Sequence, residues 1–354
     1  MEDIITMNLE AYGFKPITLS GLDGMPARVV AVHKERYKLI TDLGECYGRL
    51  KTKEYYVDGD DFPTAGDFVL IAYNPSGDSM IVKTLPRRTF FMRKDPNPNK
   101  AEQAVAANFD YVFIMQSLNH DFNMKRLERY LTLSWQSGAE PVVILTKADL
   151  VDDFSDQLRT VERYSMGANV HAVSSETGYG LSELDEYLSP GKTVVFLGSS
   201  GVGKSTLVNA LAGEEIMATG GIREDDSRGR HTTTHRELIM LKSGAMIIDT
   251  PGMRSLGMWD VSEGIGNAFS DVEEFLGRCK YKDCRHESEP GCAIKTAIES
   301  GLLTRERFES YLALKKEARY SDDKEAFLRD KREWHKSIAK GTKMLKKTNP
   351  KYRT

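Results

Sequence analysis

Residues 198–205 read GSSGVGKS and carry residue types that can hold a row of phosphates. The stretch fits the pattern G-x-x-x-x-G-K-[ST], follows an apolar run and opens a helical one. Its glycines let successive backbone N–H groups point at phosphate oxygens, while Lys204 can reach the β- and γ-phosphates and Ser205 can bind Mg²⁺. The sequence therefore predicts a phosphate-binding loop between a strand and a helix. Its members are Gly198, Ser199, Ser200, Gly201, Val202, Gly203, Lys204, Ser205 and Thr206.

A second motif, IIDTPG, ends another apolar run downstream of this loop. Asp249 is placed to hold Mg²⁺, directly or through a water, and Gly252 to donate its N–H to a γ-phosphate. The polar stretch 220–235 between the two motifs contains three consecutive threonines. We expect Thr233 to bind Mg²⁺ when a γ-phosphate is present, and His231 to orient the attacking water. Either neighbouring threonine remains an alternative ligand, and a histidine in such a stretch can also be merely solvated.

The stretch TKAD resembles the N-K-x-D element that selects guanine. Asp149 would accept hydrogen bonds from the guanine N1–H and amino group, which adenine does not offer, so adenine would leave the carboxylate unpaired. Lys147 would lie along the base and brace the phosphate loop. Thr146 replaces the usual asparagine, so we expect fewer bracing bonds. The later stretch VSSETG resembles the loop that contacts the guanine O6 through its backbone. The residues of these two loops predicted to bind GTP are Thr146, Lys147, Ala148, Asp149, Ser174 and Ser175.

These base-reading motifs precede the phosphate loop, whereas in a standard G protein they follow it. Each of them comes at the end of an apolar run, where ligands bind in open α/β sheets. Domain termini often lie close together, so they can be joined and new ones cut elsewhere. The short link SPGK at 189–192 would then join the last helix of an ordinary G domain to its first strand. The motif order therefore predicts a circular permutation.

Three cysteines and a histidine form a compact cluster, C-x₄-C-x-H-x₅-C, made of Cys279, Cys284, His286 and Cys292. Three thiolates and one imidazole are a tetrahedral zinc set of the closed, structural type. Zinc in such a set can supply on the order of 10 kcal/mol of apparent folding free energy. Ordinary buried cysteines would not need this spacing, and the isolated Cys46 is interpreted as one.

The chain divides into three predicted domains. Residues 1–95 carry short alternating runs between turn signals, which predict a five-stranded β-barrel that either binds oligonucleotides or serves as a spacer. Residues 96–258 alternate buried-strand runs with helical patterns and predict an α/β domain. Residues 259–354 predict a helical module around the metal cluster, ending in a basic tail.

Composition restricts the setting of the protein. The chain has 354 residues, 40% of them hydrophobic, and a net charge of −3. Its start resembles no secretory signal, and no apolar run approaches the roughly 18 residues that span a bilayer, so we expect a cytoplasmic protein with no membrane partner. From Lys340 to Thr354 there are six basic and no acidic residues, a pattern that attracts RNA phosphates or merely aids solubility.

The motifs TKAD, GSSGVGKS, RHTTT and DTPG, with the barrel and the metal cluster, resemble the circularly permuted GTPases of bacterial small-ribosomal-subunit maturation, the YjeQ/RsgA family. The resemblance covers nearly the whole chain. It implies an OB-fold barrel, GTP hydrolysis, zinc on the four cluster residues, and binding to the small (30S) subunit and its 16S-type rRNA near the decoding region. Members carry asparagine or threonine at the position of Thr146. We expect a monomer that binds GTP, GDP, Mg²⁺ and one Zn²⁺.

Two consequences follow for the mechanism. Met253 occupies the place where many G proteins carry a water-positioning glutamine, so we expect slow intrinsic hydrolysis that the small subunit accelerates. The γ-phosphate would act as a latch that repositions the barrel and the metal module relative to each other. Two rival functions remain: an adenine-nucleotide kinase or ATPase with the same phosphate loop, and an RNA-binding scaffold with a vestigial nucleotide site.

Overall fold

A computed structural model describes residues 8–15, 23–33, 36–50, 62–93, 103–119, 121–217, 236–249, 261–287 and 289–319. Its strands are β1 (Met25–His33), β2 (Arg36–Thr41), β3 (Gly44–Leu50), β4 (Phe68–Ala72), β5 (Ser79–Thr84), β6 (Phe90–Arg93), β7 (Gln103–Ala107), β8 (Tyr111–Ser117), β9 (Glu140–Thr146), β10 (Asn169–Ala172), β11 (Thr193–Gly198), β12 (Arg236–Met240) and β13 (Met246–Asp249). Its helices are α1 (Met124–Gln136), α2 (Ser155–Tyr164), α3 (Lys204–Ala212), α4 (Ser262–Ala268), α5 (Ser270–Glu273), α6 (Ala293–Glu299) and α7 (305–319). Short 3₁₀ helices cover Leu9–Tyr12, Ala148–Leu150 and Leu181–Tyr187. The predictions for His231, Thr233, Gly252, Met253 and the basic tail lie outside the described residues.

Five strands at the N-terminal end close into a barrel. Their order is β1-β2-β3-β5-β4, and β4 pairs back with β1 to complete the ring. Neighbours are antiparallel except β3 and β5, which are parallel. The barrel interior is filled by Ala27, Val29, Tyr37, Leu39, Val69, Ile71 and Ile81. The predicted five-stranded barrel is confirmed.

A six-stranded sheet follows, in the order β10-β9-β8-β11-β13-β12. Its neighbours are parallel except β12, which runs antiparallel to β13. Alternate residues of β8 enter two different cores: Ile114 joins the cluster that includes α1, and Met115 the cluster that includes α3. Because both faces are covered, these strands are continuous apolar runs, as the sequence pattern predicts for parallel strands.

The strand order along the chain shows the circular permutation. The central strand β11 carries the phosphate loop, yet β8, β9 and β10 on one side precede it and β12 and β13 on the other side follow it. The link 189–192 leads from the 3₁₀ helix Leu181–Tyr187 into β11, and the Gly191 N–H donates to the Gly244 carbonyl at 2.9 Å. The predicted loops at 146–149, 173–178 and 198–205 therefore all start at carboxyl ends of parallel strands.

The barrel and the α/β sheet share hydrogen bonds between strands. β1 of the barrel pairs antiparallel with β12, with Ala31 opposite Glu237 and Val32 opposite Arg236. The two sheets thereby form one series of eleven strands. Because residues 220–235 end directly before β12, the predicted phosphate-sensing stretch leads into the strand that meets the barrel.

Two barrel residues fix this junction further. Arg28 is buried, and its guanidinium donates to the Asn108 carbonyl at 3.0 Å and to Thr193 Oγ1 at 2.9 Å, at the start of β11. Gly66 has φ 91°, and a Cβ there would lie 2.0 Å from the Ala107 carbonyl oxygen. Only glycine permits that approach, so the barrel contacts the α/β domain through closely fitted backbone.

The C-terminal helices dock on α1. Arg307 of α7 is buried, and its guanidinium lies 2.8 Å from the Glu128 carboxylate of α1 and 2.9 Å from that of Asp271. The next residue of α1, Arg129, pairs with Glu317 near the end of α7 at 2.7 Å. Two carboxylates and a backbone carbonyl satisfy the buried guanidinium, which makes the docking specific.

Candidate functional site

The phosphate loop connects β11 to α3, which begins at Lys204. Gly201 and Gly203 have φ values of 73° and 102°, a region that residues with a side chain rarely adopt. A Cβ on Gly198 would lie 3.2 Å from the Met115 carbonyl oxygen of β8. Backbone conformation therefore favours glycine at 201 and 203, and at 198 there is little room for a side chain. The backbone N–H groups of the loop lead into a helix N-terminus, which favours anions.

The first base-reading loop, 146–149, holds the phosphate loop directly. Thr146 Oγ1 donates to the Val202 carbonyl at 2.6 Å, so threonine supplies a bracing bond in place of asparagine. Lys147 Nζ donates to the Gly201 carbonyl at 2.7 Å, and Lys147 itself has a φ of 61°. Two motifs about fifty residues apart in sequence therefore meet in one place.

The second base-reading loop holds the acid of the first. Ser174 Oγ donates to Asp149 Oδ1 at 2.5 Å, and the Ala148 N–H donates to the Val173 carbonyl at 3.1 Å. Ser175 follows and is half-buried. One carboxylate oxygen of Asp149 is thus bound by protein, which fixes the orientation of the group for a base with paired donors.

The acid of the IIDTPG motif lies next to the phosphate-loop lysine. Asp249 is the last residue of β13, it is buried, and its carboxylate contacts Lys204 Nζ. Ser205 and Thr206 follow Lys204 in the first turn of α3 and are partly exposed. A carboxylate and a hydroxyl at this position are oxygen ligands of the kind that Mg²⁺ prefers.

Residues that the motifs do not include complete the surroundings of the phosphate loop. Ser199 Oγ donates to Asp121 Oδ2 at 2.6 Å, and Arg126 binds the same carboxylate. Asp121 lies in the loop after β8, the strand beside β11. The sequence gives one indication of this role: Asp121 lies in a polar stretch that follows a buried-strand run, the position where ligands bind in such sheets.

The cysteine–histidine cluster has the geometry of a four-ligand metal site. Its four donor atoms lie within 4.8 Å of one another. His286 Nδ1 lies 3.5, 3.6 and 3.4 Å from the Sγ atoms of Cys279, Cys284 and Cys292, and the Sγ atoms of Cys279 and Cys292 are 4.0 Å apart. A tetrahedral zinc site has S–N edges of about 3.5 Å and S–S edges of about 3.8 Å, so these residues fit a zinc ion.

No helix in the described part of the chain combines the length and the apolar character needed to cross a bilayer.

Comparisons with known proteins agree with this geometry. The sequence model of the family described as RsgA GTPase matches residues 84–259. The protein named Small ribosomal subunit biogenesis GTPase RsgA 1 of Listeria monocytogenes is 45% identical over 352 residues, which cover 98% of this chain and 100% of that protein.

Solved structures show the same fold. The crystal structure of YjeQ from Thermotoga maritima matches with a TM-score of 0.61 at 27% identity, covering 82% of this chain and 96% of that one. The crystal structure of YloQ, described as a circularly permuted GTPase, matches with a TM-score of 0.59 at 23% identity, covering 87% of this chain and 99% of that one. With such identity to a named relative over nearly its full length, the chain belongs to the RsgA GTPase family of GTP hydrolases.

Proposed function

We propose that this GTPase acts as a nucleotide-dependent switch in late maturation of the small ribosomal subunit. The observation that supports the nucleotide site is the set of bonds from the base-reading loop to the phosphate loop, made by Thr146 and Lys147. Asp149, fixed by Ser174, would read guanine, and the loop 198–206 would bind the phosphates. The role in subunit maturation follows the name of the Listeria relative.

In this site the chain's own residues would bind the nucleotide, neutralise its phosphates and orient the attacking water. Backbone N–H groups of the phosphate loop and Lys204 would neutralise the phosphates. Ser205, Thr233 and Asp249 would hold Mg²⁺, which supplies charge neutralisation when bound with the nucleotide. His231 would orient the attacking water and Gly252 would donate to the γ-phosphate. Since Met253 has no group to orient water, intrinsic hydrolysis should be slow, and we expect the small subunit to accelerate it.

We assign the Cys279, Cys284, His286 and Cys292 cluster to one structural zinc ion. The fit of its donor distances and its closed set of four ligands support that assignment. Zinc would hold the segment before α6 against the C-terminal helices, where His286 packs edge-on against Phe308 at 5.8 Å.

We assign rRNA contact to the barrel and to the C-terminal module with its basic tail. Arg36 and Arg49 on the outside of β2 and β3 are exposed and share Asp78 as an ion-pair partner, so one carboxylate balances two cations. The Arg36 guanidinium lies 3.9 Å from the Tyr47 ring centroid. Cationic and aromatic groups on this face of an OB-type barrel suit single-stranded RNA. The same proposal includes a monomeric state, a cytoplasmic location and three domains with the limits 1–95, 96–258 and 259–354.

The decisive experiment measures GTP hydrolysis by the full chain with and without purified small ribosomal subunits. We expect slow turnover alone and a large increase with the subunit. Competition by GDP but not ADP would exclude the adenine-nucleotide alternative, and measurable turnover would exclude a vestigial site. Turnover that the small subunit leaves unchanged would contradict the proposal.

A further inference from the structure

We propose that Asp121 and Arg126 are positioning residues for the phosphate loop. Asp121 holds Ser199, and Arg126 neutralises the Asp121 carboxylate so that phosphates can bind beside it. These roles rest on the guanine-nucleotide site proposed above.

A single carboxylate oxygen joins the loop to the arginine. Asp121 Oδ2 accepts from Ser199 Oγ at 2.6 Å and from Arg126 Nη2 at 3.0 Å. The second carboxylate oxygen, Oδ1, accepts from Arg126 Nη1 at 3.2 Å. Arg126 therefore binds the carboxylate with both of its amino groups. This bidentate geometry fixes the orientation of the Asp121 carboxylate and balances its negative charge.

The local structure holds the arginine in this place. Asn123 is the N-cap of α1, and its side chain accepts from the Arg126 N–H at 3.0 Å. Gln116 of β8 is fully buried, and its Oε1 lies 3.2 Å from Arg126 Nη2. The Asp121 N–H donates to Asn119 Oδ1 at 3.1 Å, which sets the loop before the helix. The pair thus depends on β8, a strand hydrogen-bonded to β11.

The phosphate loop is thereby held from two sides. Lys147 and Thr146 bind the carbonyls of Gly201 and Val202, while Asp121 binds the side chain of Ser199 at the start of the loop. A loop fixed in its binding shape loses less conformational freedom when the nucleotide arrives, so binding is tighter.

Charge explains why the carboxylate needs its arginine. A carboxylate beside the phosphate loop that has lost its arginine would repel a nucleotide more strongly, and it would repel GTP more than GDP because GTP carries more negative charge. Such repulsion between partly exposed charges weakens as the salt concentration rises. A purely structural role for Arg126 would affect both nucleotides alike and would not depend on salt.

The test measures the binding of fluorescent GDP and of a non-hydrolysable fluorescent GTP analogue to the full chain with Mg²⁺. We expect Arg126→Met to weaken the GTP analogue by about fivefold, to weaken GDP less, and to recover partly at high salt. Adding Asp121→Asn to Arg126→Met should restore most of the affinity, since the negative charge that Arg126 had balanced is removed. Arg126→Lys keeps the positive charge but loses the bidentate grip, so it should bind the GTP analogue better than Arg126→Met and less well than the unmodified chain.

The hydrogen bond from Ser199 to Asp121 is tested by substitutions at Ser199. Ser199→Ala should speed the release of both nucleotides about threefold through loss of one charge-assisted hydrogen bond, and Ser199→Thr should restore the slow release. Arg129→Met is the matched control, since Arg129 lies on the same helix but pairs with Glu317. That control should bind both nucleotides like the unmodified chain.

Three results would overturn these roles: unchanged binding by Arg126→Met, equal losses of both nucleotides that Asp121→Asn fails to restore, or unchanged release from Ser199→Ala. If Arg126→Met does not fold, judged by its melting temperature without nucleotide, the Ser199 pair alone decides. Failure of the unmodified chain to bind guanine nucleotides would instead refute the proposed function.

Discussion

Asp149 shows how one side chain is prepared for one base. Ser174 binds one of its two carboxylate oxygens, and the short helix Ala148–Leu150 carries the group from the end of β9. The preference for guanine over adenine should therefore depend on this carboxylate more than on the shape of the surrounding pocket.

Replacing Asp149 by asparagine tests that dependence. The amide offers a donor where guanine also offers donors, so we expect GDP affinity to fall about a hundredfold. Xanthosine diphosphate, which has an acceptor in place of the guanine amino group, should bind better than GDP to the variant. The measurement is a competition titration with both nucleotides, and an unchanged preference for GDP would contradict the assigned role.

The residues of the proposed nucleotide site fall into two groups: those whose positions the sequence motifs predict and those whose positions they do not. Lys147, Thr146 and Lys204 belong to motifs with fixed spacing, so their proximity could be predicted once the permutation was recognised. Asp121 and Arg126 belong to no such motif. Their place beside Ser199 depends on β8 lying next to β11, a pairing between strands some eighty residues apart that no local pattern specifies.

At the scale of the element, the metal cluster and the barrel carry separate stabilising interactions. Cys284 and His286 lie in a segment whose described residues, 274–287 and 289–292, form no regular helix or strand, so a metal ion is the natural organiser of that segment. The barrel has an apolar core of its own and should not depend on the metal.

Removing one ligand should therefore remove the zinc. We expect the purified chain to contain about one zinc per molecule and Cys284→Ser to contain much less, with a lower melting temperature, since a structural site needs all four ligands. Cys46→Ser is the matched control, because Cys46 lies in the barrel on β3, outside the cluster. Equal zinc content in all three proteins, measured by elemental analysis, would argue against the assignment.

The barrel should show a specific acid sensitivity. Hydrogen bonds from Arg49 and from Arg36 hold the pKa of Asp78 below its usual value of 3.8. Because the folded state binds this proton more weakly than the unfolded chain, the ion pairs stabilise the fold above about pH 4. That contribution is lost as the pH falls through the lowered pKa.

Asp78→Asn should consequently melt below the unmodified chain at pH 6, and the difference should shrink towards pH 3. Thermal unfolding followed by circular dichroism across this range makes the comparison. A difference in melting temperature that does not change with pH would show that the charge of Asp78 is not the cause.

At the scale of the whole molecule, α1 links the phosphate loop to the C-terminal helices. Its first turn carries Arg126, which binds Asp121, and its next turn carries Glu128, which binds the buried Arg307. Neither connection was visible in the sequence, where a mixed-charge helix is most simply a solvated surface. Burial of the charged pair became apparent only from the packing of helices far apart in the chain.

Arg307→Met should destabilise the chain by about 3 kcal/mol, because it leaves the buried Glu128 carboxylate without its positively charged partner and with only the Ser310 hydroxyl as a side-chain donor in the described residues. Adding Glu128→Gln should recover part of the loss by removing that charge. Chemical denaturation of the single and double variants measures both effects. Equal stability of Arg307→Met and the double variant would contradict this explanation, because removing the Glu128 charge would then have recovered nothing.

Nucleotide state should be sensed along two routes. The stretch 220–235 leads into β12 and so to the barrel, while the chain after β13 leads to α4 and the metal module. We expect the GTP-bound and GDP-bound forms to differ in protease sensitivity between residues 220 and 260 and in affinity for the small subunit. Identical digestion patterns and affinities would show that the γ-phosphate does not control the arrangement of the barrel and the metal module.

The antiparallel bonding of β1 to β12 limits how the protein can be divided. A G domain expressed without its N-terminal part would present β12 as an open edge, with unpaired backbone groups free to recruit a strand from another copy. Such a truncated protein should self-associate in solution. In the intact chain the barrel covers this edge, so that β12 pairs within its own molecule and not with a second copy.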